Sequence, residues 1–358
     1  MVYYNRGMQK VTSRDYVEAI KYFSTALRHD SSMVMALLNR GHAKYKLLDF
    51  KGAIEDYNRA IKLKNLTWEE SYEAYFNRGI ALAALEQLQG ALANFNHAIQ
   101  LNPQYADAYY NRSILKGMAG DYMGELEDIN QVIALRPDDA NAYNSRGIAW
   151  SMLGHQKEAM ADFEQSIALS KENPDAYFNR GLVNYEMKEY RAALEDFSKA
   201  ISLRPDAESY DRRGNTKCKL NDFKGAFDDY SEAIAQQPKN YVALVNRGKL
   251  KVDLKDYESA IEDFNKALKV NPGYALAYYE RGVAKKNLQD VHGEIEDYSK
   301  AIENKPDYEQ AYYARGMARC RLGDKWGGCD DLDKAMRLGS DLAYNYIIEH
   351  CNKKPTKN

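Results

Sequence analysis

The side chains that could carry chemistry in this chain are mostly charged, and they return at a fixed spacing. An arginine marks each of ten units: Arg6, Arg40, Arg78, Arg112, Arg146, Arg180, Arg213, Arg247, Arg281 and Arg315. A second cation follows four residues later in seven units: Lys10, Lys44, Lys116, Lys217, Lys251, Lys285 and Arg319. An aspartate follows sixteen residues after the arginine in eight units: Asp56, Asp128, Asp162, Asp196, Asp229, Asp263, Asp297 and Asp331.

These charges can form ion pairs. Two residues four apart share one face of a helix, and a planar guanidinium can bind a carboxylate through two parallel hydrogen bonds. We therefore expect a buried structural ladder that fixes the register between units more than it adds stability. A ligand-binding use of the same charges is the alternative. The ladder is predicted at Arg40, Arg112, Arg180, Arg247 and Arg281, with Asp56, Asp128, Asp196, Asp263 and Asp297.

Other reactive residues are few. The six histidines form no HExxH pair, and no Gly-rich phosphate loop or nucleophile elbow occurs. Cys218, Cys320, Cys329 and Cys351 show no CxxC spacing. Cys320 and Cys329 could approach within one helix hairpin, but we expect them to stay reduced. We therefore predict no catalytic centre, no metal and no cofactor, and hence no enzyme.

Composition limits the classes of partner. With 50 basic and 52 acidic residues, the bulk charge argues against general nucleic-acid binding. No apolar run approaches the roughly 18 residues that a membrane span needs, and the first residues lack the apolar core of a secretory leader. The cytoplasm is the expected compartment, and the periplasm is the alternative if a leader has been removed.

The spacing itself indicates a stack of small units. Eight of the nine gaps between successive arginines are 33 or 34 residues, and one gap, from Arg40 to Arg78, is 38. Each unit contains two runs of about a dozen residues with apolar positions at helical spacing, which predicts two amphipathic helices. A proline ends the second run in six units, because it cannot continue a helix. We number each unit so that its arginine is position seven.

On this numbering the units resemble the tetratricopeptide repeat. They share a small residue at position eight, Ala at position twenty, an aromatic at twenty-four, Ala at twenty-seven and Pro at thirty-two, as in Gly147, Ala159 and Phe163 of the fifth unit. Arginine at position seven departs from the family, which usually has Leu there. The resemblance implies an all-α, right-handed α-solenoid of about ten antiparallel helix pairs.

The expected boundaries follow from the register. The array should cover residues 1–339 with an insertion at 64–67, where Thr67 and Glu70 have the spacing of a capping box. Residues 340–351 should form a C-terminal capping helix, and residues 352–358 should be a frayed tail.

The resemblance also implies a groove lined by the first helix of each pair, at positions two, five, six, nine, twelve and thirteen. Position six is similar to the asparagine ladder of O-linked N-acetylglucosamine transferase repeats, which clamps an extended peptide. An Asn amide can donate to and accept from a peptide bond; the alternative is that these residues only solvate the helix. The candidate ladder is Asn39, Asn77, Asn111, Asn179 and Asn246.

Two further sets of residues should face the groove. The apolar set in units three to six comprises Phe76, Ile80, Tyr110, Ile114, Met118, Ile148, Met152, Phe178, Leu182 and Tyr185. The basic set in units seven to ten comprises Lys219, Lys249, Lys286 and Arg321. Together they suit a peptide or partner protein with a hydrophobic anchor and an acidic flank; self-association through the apolar set is the alternative.

Three classes of function remain open at this stage. The first is a non-enzymatic scaffold that binds a peptide or partner protein in the groove. The second is a chaperone-type adaptor that captures an acidic C-terminus, although the full set of Lys and Asn that this needs cannot be placed. The third is the substrate-selecting part of a larger enzyme or envelope complex.

Overall fold

The computed structural model describes residues 1–63 and 66–351. In these ranges the regular structure is entirely helical, with 21 α-helices and a final π-helical turn, Ile347–Cys351. The helices are α1 (Val2–Thr12), α2 (Tyr16–His29), α3 (Val34–Lys46), α4 (Phe50–Ile61), α5 (Trp68–Ala84), α6 (Leu88–Leu101), α7 (Ala106–Met118), α8 (Tyr122–Leu135), α9 (Ala140–Met152), α10 (Gln156–Leu169), α11 (Pro174–Glu186), α12 (Tyr190–Leu203), α13 (Ala207–Lys219), α14 (Phe223–Gln236), α15 (Tyr241–Asp253), α16 (Tyr257–Val270), α17 (Ala275–Asn287), α18 (Val291–Asn304), α19 (Glu309–Arg321), α20 (Lys325–Arg337) and α21 (Asp341–Tyr346).

Successive helices pack against each other in pairs, which confirms the predicted α-solenoid architecture. The odd-numbered helices from α1 to α19 are the first helices of repeats one to ten, and the even-numbered helices from α2 to α20 are the second helices. The chain divides into two compact units, Met1–Val183 and Asn184–Asn358, with the division inside α11.

A tight turn and an aspartate cap join the two helices of a repeat. In repeat four the turn places Gly120 at φ 78°, in the left-handed region. Asp121 follows and accepts a hydrogen bond from the Gly124 amide at 2.9 Å, which satisfies an otherwise unpaired N–H of the second helix. The same aspartate cap begins the second helix in seven repeats.

The small residue at position eight lets the two helices approach. A Cβ added at Gly147 would lie 2.6 Å from Cε1 of Phe163, the aromatic of the same repeat. Repeat four has the larger Ser113 at position eight and the smaller Ile129 at position twenty-four, and both are fully buried. The two positions therefore share one fixed volume between the helices.

The arginine at position seven can connect three helices. In repeat eight, Arg247 donates from Nε and Nη2 to the two carboxylate oxygens of Asp263, at 2.9 and 2.7 Å. Its Nη1 donates to Ser231 Oγ at 3.1 Å, on the second helix of the preceding repeat. Lys251 adds an ion pair to Asp263 at 2.8 Å. Asp263 is 1% exposed, so the interaction is buried.

The same bidentate pair recurs along the array. The pairs are Arg40–Asp56, Arg112–Asp128, Arg146–Asp162, Arg213–Asp229, Arg247–Asp263, Arg281–Asp297 and Arg315–Asp331. In repeat six, Arg180 lies over the Tyr177 ring at 5.8 Å, and Asp196 accepts a hydrogen bond from Asn184 at 2.9 Å.

Two further partners of the arginines were not expected from the sequence. A Ser or Asn from the preceding second helix accepts from Nη1 at Ser24, Asn58, Asn96, Asn130, Ser198, Ser231, Asn265 and Ser299. A tyrosine three residues before the arginine lies under the guanidinium at Tyr75, Tyr109, Tyr143, Tyr177, Tyr210, Tyr278 and Tyr312. Seven of the chain's 29 tyrosines make this cation–π contact.

The register break lengthens a first helix. α5 has 17 residues, and the capping box at its start is present: Glu70 N–H donates to Thr67 Oγ1 at 3.1 Å, and Thr67 N–H donates to Glu70 Oε2 at 2.8 Å. Lys64 and Asn65 of the expected insertion lie outside the described residues, as does the expected tail at 352–358.

The C-terminal cap is shorter than one continuous helix. α21 has six residues and continues into the π-helical turn, and Ala343 packs on Leu332 and Ala335 of the last repeat. The expectation that Cys329 is reduced is wrong, because Cys329 forms a disulfide with Cys351. The turn carries Cys351 back to α20, while Cys320 remains a free thiol.

We predict that Asp263→Asn lowers the free energy of unfolding by about 3–5 kcal/mol, because it leaves two mostly buried cations without a counter-ion. Urea unfolding of the full chain measures this change. The control is Asp253→Asn, which alters an exposed carboxylate of the same repeat. Equal unfolding curves for the two variants would contradict a structural role for the pair.

A second prediction concerns Glu125, which replaces the usual Ala at position twenty of repeat four. Its side chain is 8% exposed and lies against Gly117, and burial raises the pKa of its carboxyl group to about 7. The folded-state pKa therefore lies above the unfolded value of about 4.3. Stability should fall as the pH rises between these two values, and the loss should be complete above pH 7.

Glu125→Gln removes this titration at nearly constant size. We expect the variant to gain on the parent by up to about 3 kcal/mol between pH 4.5 and pH 8. Urea midpoints of both proteins at the two pH values give the difference that belongs to Glu125 alone. A gap between parent and variant that is the same at both pH values would show that Glu125 does not titrate in this way.

Candidate interaction surface of the first helices

The predicted groove residues lie on first helices that are neighbours within each unit. The clearest sign is a repeated hydrogen bond between position five of one repeat and position six of the next, 35 residues apart. Asn39 meets Tyr4 Oη at 3.4 Å, Tyr110 Oη meets Ser145 Oγ at 3.4 Å, and Asn246 donates to Asp211 at 2.8 Å. We call positions two, five, six, nine, twelve and thirteen of the first helices the first-helix surface.

The asparagines at position six use their amides inside the protein. Asn179 donates to Asn144 Oδ1 at 3.1 Å, and Asn246 donates to Asp211 Oδ1. Asn111 follows a repeat whose position five is apolar, and it donates to the Asp107 carbonyl of its own helix at 2.8 Å. Asn77 has no side-chain partner within the described residues. Four of the five candidate asparagines therefore donate at least one side-chain N–H to another group of the protein.

A polar network occupies the start of the second unit. Asp211 is buried at position five and accepts hydrogen bonds from Asn246 at 2.8 Å and Asn215 at 3.1 Å. Burial raises the pKa of the Asp211 carboxyl group. Tyr230 Oη donates to Asn215 Oδ1 at 3.0 Å and lies 3.5 Å from the Cys218 sulfur. No repeated pattern in the sequence predicts this network, because Asp occurs at position five only here.

Four apolar side chains of the predicted set are exposed in the first unit. Ile114 is 41% exposed, Met118 70%, Ile148 38% and Met152 57%. They occupy positions nine and thirteen of α7 and α9, and we call them the apolar strip. Five other members of the predicted apolar set are partly buried: Ile80, Tyr110, Phe178, Leu182 and Tyr185.

Phe76 does not belong to this surface, and its predicted place is wrong. It is 9% exposed, and its ring contacts Phe95 at 5.8 Å and Tyr105 at 4.8 Å. Position five lies at the edge where a first helix packs on the next repeat, so a large aromatic ring there joins the core.

The four predicted groove cations differ in their partners. Lys219 and Lys286 are exposed and have no ion-pair partner within the described residues. Lys249 lies 3.6 Å from Glu280 of the next repeat. Arg321 makes a close ion pair with Glu294, whose side chain is fully buried. Half of the basic set is therefore partly neutralised by the protein itself.

Neither a metal site nor a membrane span is found in the part of the chain that the structure describes. No group of three or more His, Cys, Asp or Glu side chains is placed to hold a metal ion there. No helix in the same ranges has the length and apolar character to cross a bilayer.

Comparison with solved structures finds the same architecture at low identity. Cut9 in the APC/C hetero-tetramer Cut9–Hcn1 is 15% identical, with a TM-score of 0.56 over 97% of this chain and 82% of that chain. A tetratricopeptide repeat protein from Parabacteroides merdae is 21% identical, with a TM-score of 0.55 over 72% and 97%. PilF of Pseudomonas aeruginosa is 17% identical, with a TM-score of 0.52 over 60% and 99%. At these identities the likeness shows the fold alone.

Sequence comparison identifies the family. No curated protein matches the chain. Models described as tetratricopeptide repeat or TPR repeat match residues 4–65, 79–115, 152–188, 174–206, 248–289 and 275–308. These matches together cover more than half of the 358 residues, and the chain therefore belongs to the tetratricopeptide repeat family.

Proposed function

We propose that the chain is a non-enzymatic interaction scaffold that holds an extended segment of a partner protein on the first-helix surface of its first unit. The observation that carries this proposal is the apolar strip. Exposed apolar side chains that recur at the same positions of two successive first helices favour a protein-binding surface over plain solvent exposure.

The fold does not require apolar residues at these positions. Position thirteen is Thr12, Lys46, Glu186, Lys219, Asp253, Asn287 and Arg321 in seven other repeats. Met118 and Met152 therefore depart from a position that is otherwise mostly polar. Methionine side chains are flexible and polarizable, so they can fit partners of varied shape.

The geometry of the strip suits an extended partner. Packed helices lie about 8–10 Å apart, and a polyproline II segment returns to the same face every three residues, after about 9 Å. A partner with apolar side chains three residues apart can therefore place one on α7 and the next on α9. A second copy of this chain would have to present such an extended segment, and the described loops between its helices are only a few residues long.

The expected asparagine clamp is not needed for this proposal. The amide groups of Asn111 and Asn179 already take part in helix contacts, whereas Asn77 keeps its donors and its acceptor. We propose that Asn77, at the edge of the strip, contacts the partner backbone.

We predict that Met118→Glu combined with Met152→Glu weakens peptide binding at least tenfold, because two charges would be buried against apolar partner groups. The probe is the tightest binder from a random dodecapeptide display library selected on the parent protein, measured by fluorescence polarisation. The matched control combines Met123→Glu with Leu169→Glu, which alters exposed apolar residues on second helices of the same unit.

Equal affinity of the probe for the parent and the strip variant would contradict the proposal. Sedimentation velocity gives a second check. If the parent forms a dimer that the strip variant loses, the strip is a self-association surface and the proposed function is wrong.

A further inference from the structure

A cavity of about 240 Å³ lies in the second unit, between the first helices α17 and α19. Its walls include Val283 and Met317, and Lys286 and Arg321 are the charged residues that line it. These four residues occupy positions nine, twelve and thirteen, so the cavity opens on the first-helix surface. Position six is Ala314 here, whereas six repeats have Asn at this position, and the smaller side chain leaves space.

Tyr298 also lines the cavity, and its hydroxyl group has no hydrogen-bond partner within the described residues. The side chain is 1% exposed. An unpaired buried hydroxyl is costly, so a native structure with one usually provides a partner from water or a ligand. Burial raises the pKa of Tyr298, so the hydroxyl stays protonated and can donate.

Repeat seven provides an internal comparison. Tyr230 occupies the same position twenty-four, and its hydroxyl donates to Asn215 at position nine and lies against Cys218 at position twelve. In repeat nine these two positions are Val283 and Lys286. Neither side chain can accept a hydrogen bond, because one is apolar and the other is a cation. The missing acceptor must come from outside the repeat.

The charges around the cavity favour an anionic acceptor. Lys286 is exposed and has no ion-pair partner within the described residues. Arg321 contacts Glu294 through Nη2 only, and a guanidinium has five N–H donors. The buried Glu294 carboxylate is compensated by Arg321, and its Oε2 atom has no hydrogen-bond partner in the described residues.

We propose that this cavity binds a glutamate side chain of an extended peptide, a site that rests on the proposed peptide-binding function. The two methylene groups of the glutamate lie against Val283 and Met317. Its carboxylate accepts hydrogen bonds from the Tyr298 hydroxyl and from Lys286 and Arg321. A chain-terminal carboxylate shares this chemistry but lacks the methylene stem.

The test is a titration of the full chain, carrying ¹³C-labelled Met and Val methyl groups, with synthetic heptapeptides. The first probe is acetyl-Gly-Ser-Gly-Glu-Gly-Ser-Gly-amide, and the second has Gln in place of Glu. A third has the Gly/Ser sequence with a free C-terminus. The Glu peptide should shift the methyl signals of Val283 and Met317 and bind at least fivefold more tightly than either of the others.

Two variants test the hydroxyl. Tyr298→Phe should bind the Glu peptide about tenfold more weakly without a lower melting temperature, because the hydroxyl has no partner to lose. The matched control is Tyr230→Phe, which should leave peptide binding unchanged and lower the melting temperature. The strip variant with Met118→Glu and Met152→Glu should bind the Glu peptide like the parent, so failure of the strip and failure of the cavity are distinguishable.

Three outcomes would overturn the site. Equal binding of the Glu and Gln peptides would exclude recognition of charge. Tighter binding of the free C-terminus would assign the cavity to a terminal carboxylate. A melting temperature lowered by Tyr298→Phe as much as by Tyr230→Phe, with unchanged peptide affinity, would show that a buried water pairs the hydroxyl.

Discussion

The buried arginine at position seven is the interaction on which the stacking of the repeats depends. A buried guanidinium is tolerated only when its charge and its N–H groups are satisfied. In repeat eight, Asp263 of the same repeat supplies the negative charge. Ser231 of the preceding repeat accepts a hydrogen bond from Nη1 of Arg247. One side chain therefore ties the two helices of a repeat together and also sets how the repeat meets its predecessor.

Departures from the ladder show what each partner contributes. Repeat three has Asn94 in place of Asp, and Arg78 still donates to Asn94 and to Asn58, at 2.8 and 2.6 Å. Without a carboxylate, burial lowers the pKa of Arg78, whereas the hydrogen bond that Arg112 donates to Asp128 raises the pKa of Arg112. The amide thus keeps one of the two hydrogen bonds of the pair, and the second hydrogen bond and the charge compensation are lost. In the first repeat, where no aspartate is available at this position, Lys10 pairs with Asp15 instead.

The sequence was sufficient for features that repeat and insufficient for features that occur once. The arginine–aspartate pairs, the helix pairs and the capping box at Thr67 follow from spacing, because ten copies make the spacing visible. The Ser or Asn contact to eight of the arginines was missed, since two residue types share the position and both are common on solvated faces. Phe76 was misplaced because position five lies on the border between surface and core. The Cys329–Cys351 disulfide joins a repeat to a segment outside the period, where spacing gives no information.

The ladder also explains why function can vary without loss of the fold. Successive residues of a helix are about 100° apart, so positions seven and eleven lie on one side of a first helix. Positions nine and thirteen lie roughly half a turn away from them. Met118 and Met152 could therefore replace polar residues, and Val283 could replace a hydrogen-bonding residue, without touching Arg112, Arg146 or Arg281. The ladder residues Arg281 and Arg315, which join α17 and α19 to α18, are not among the residues that line the cavity beside Tyr298. The proposed strip and the proposed cavity both lie on the side opposite the ladder, where a change of side chain leaves the ion pairs intact.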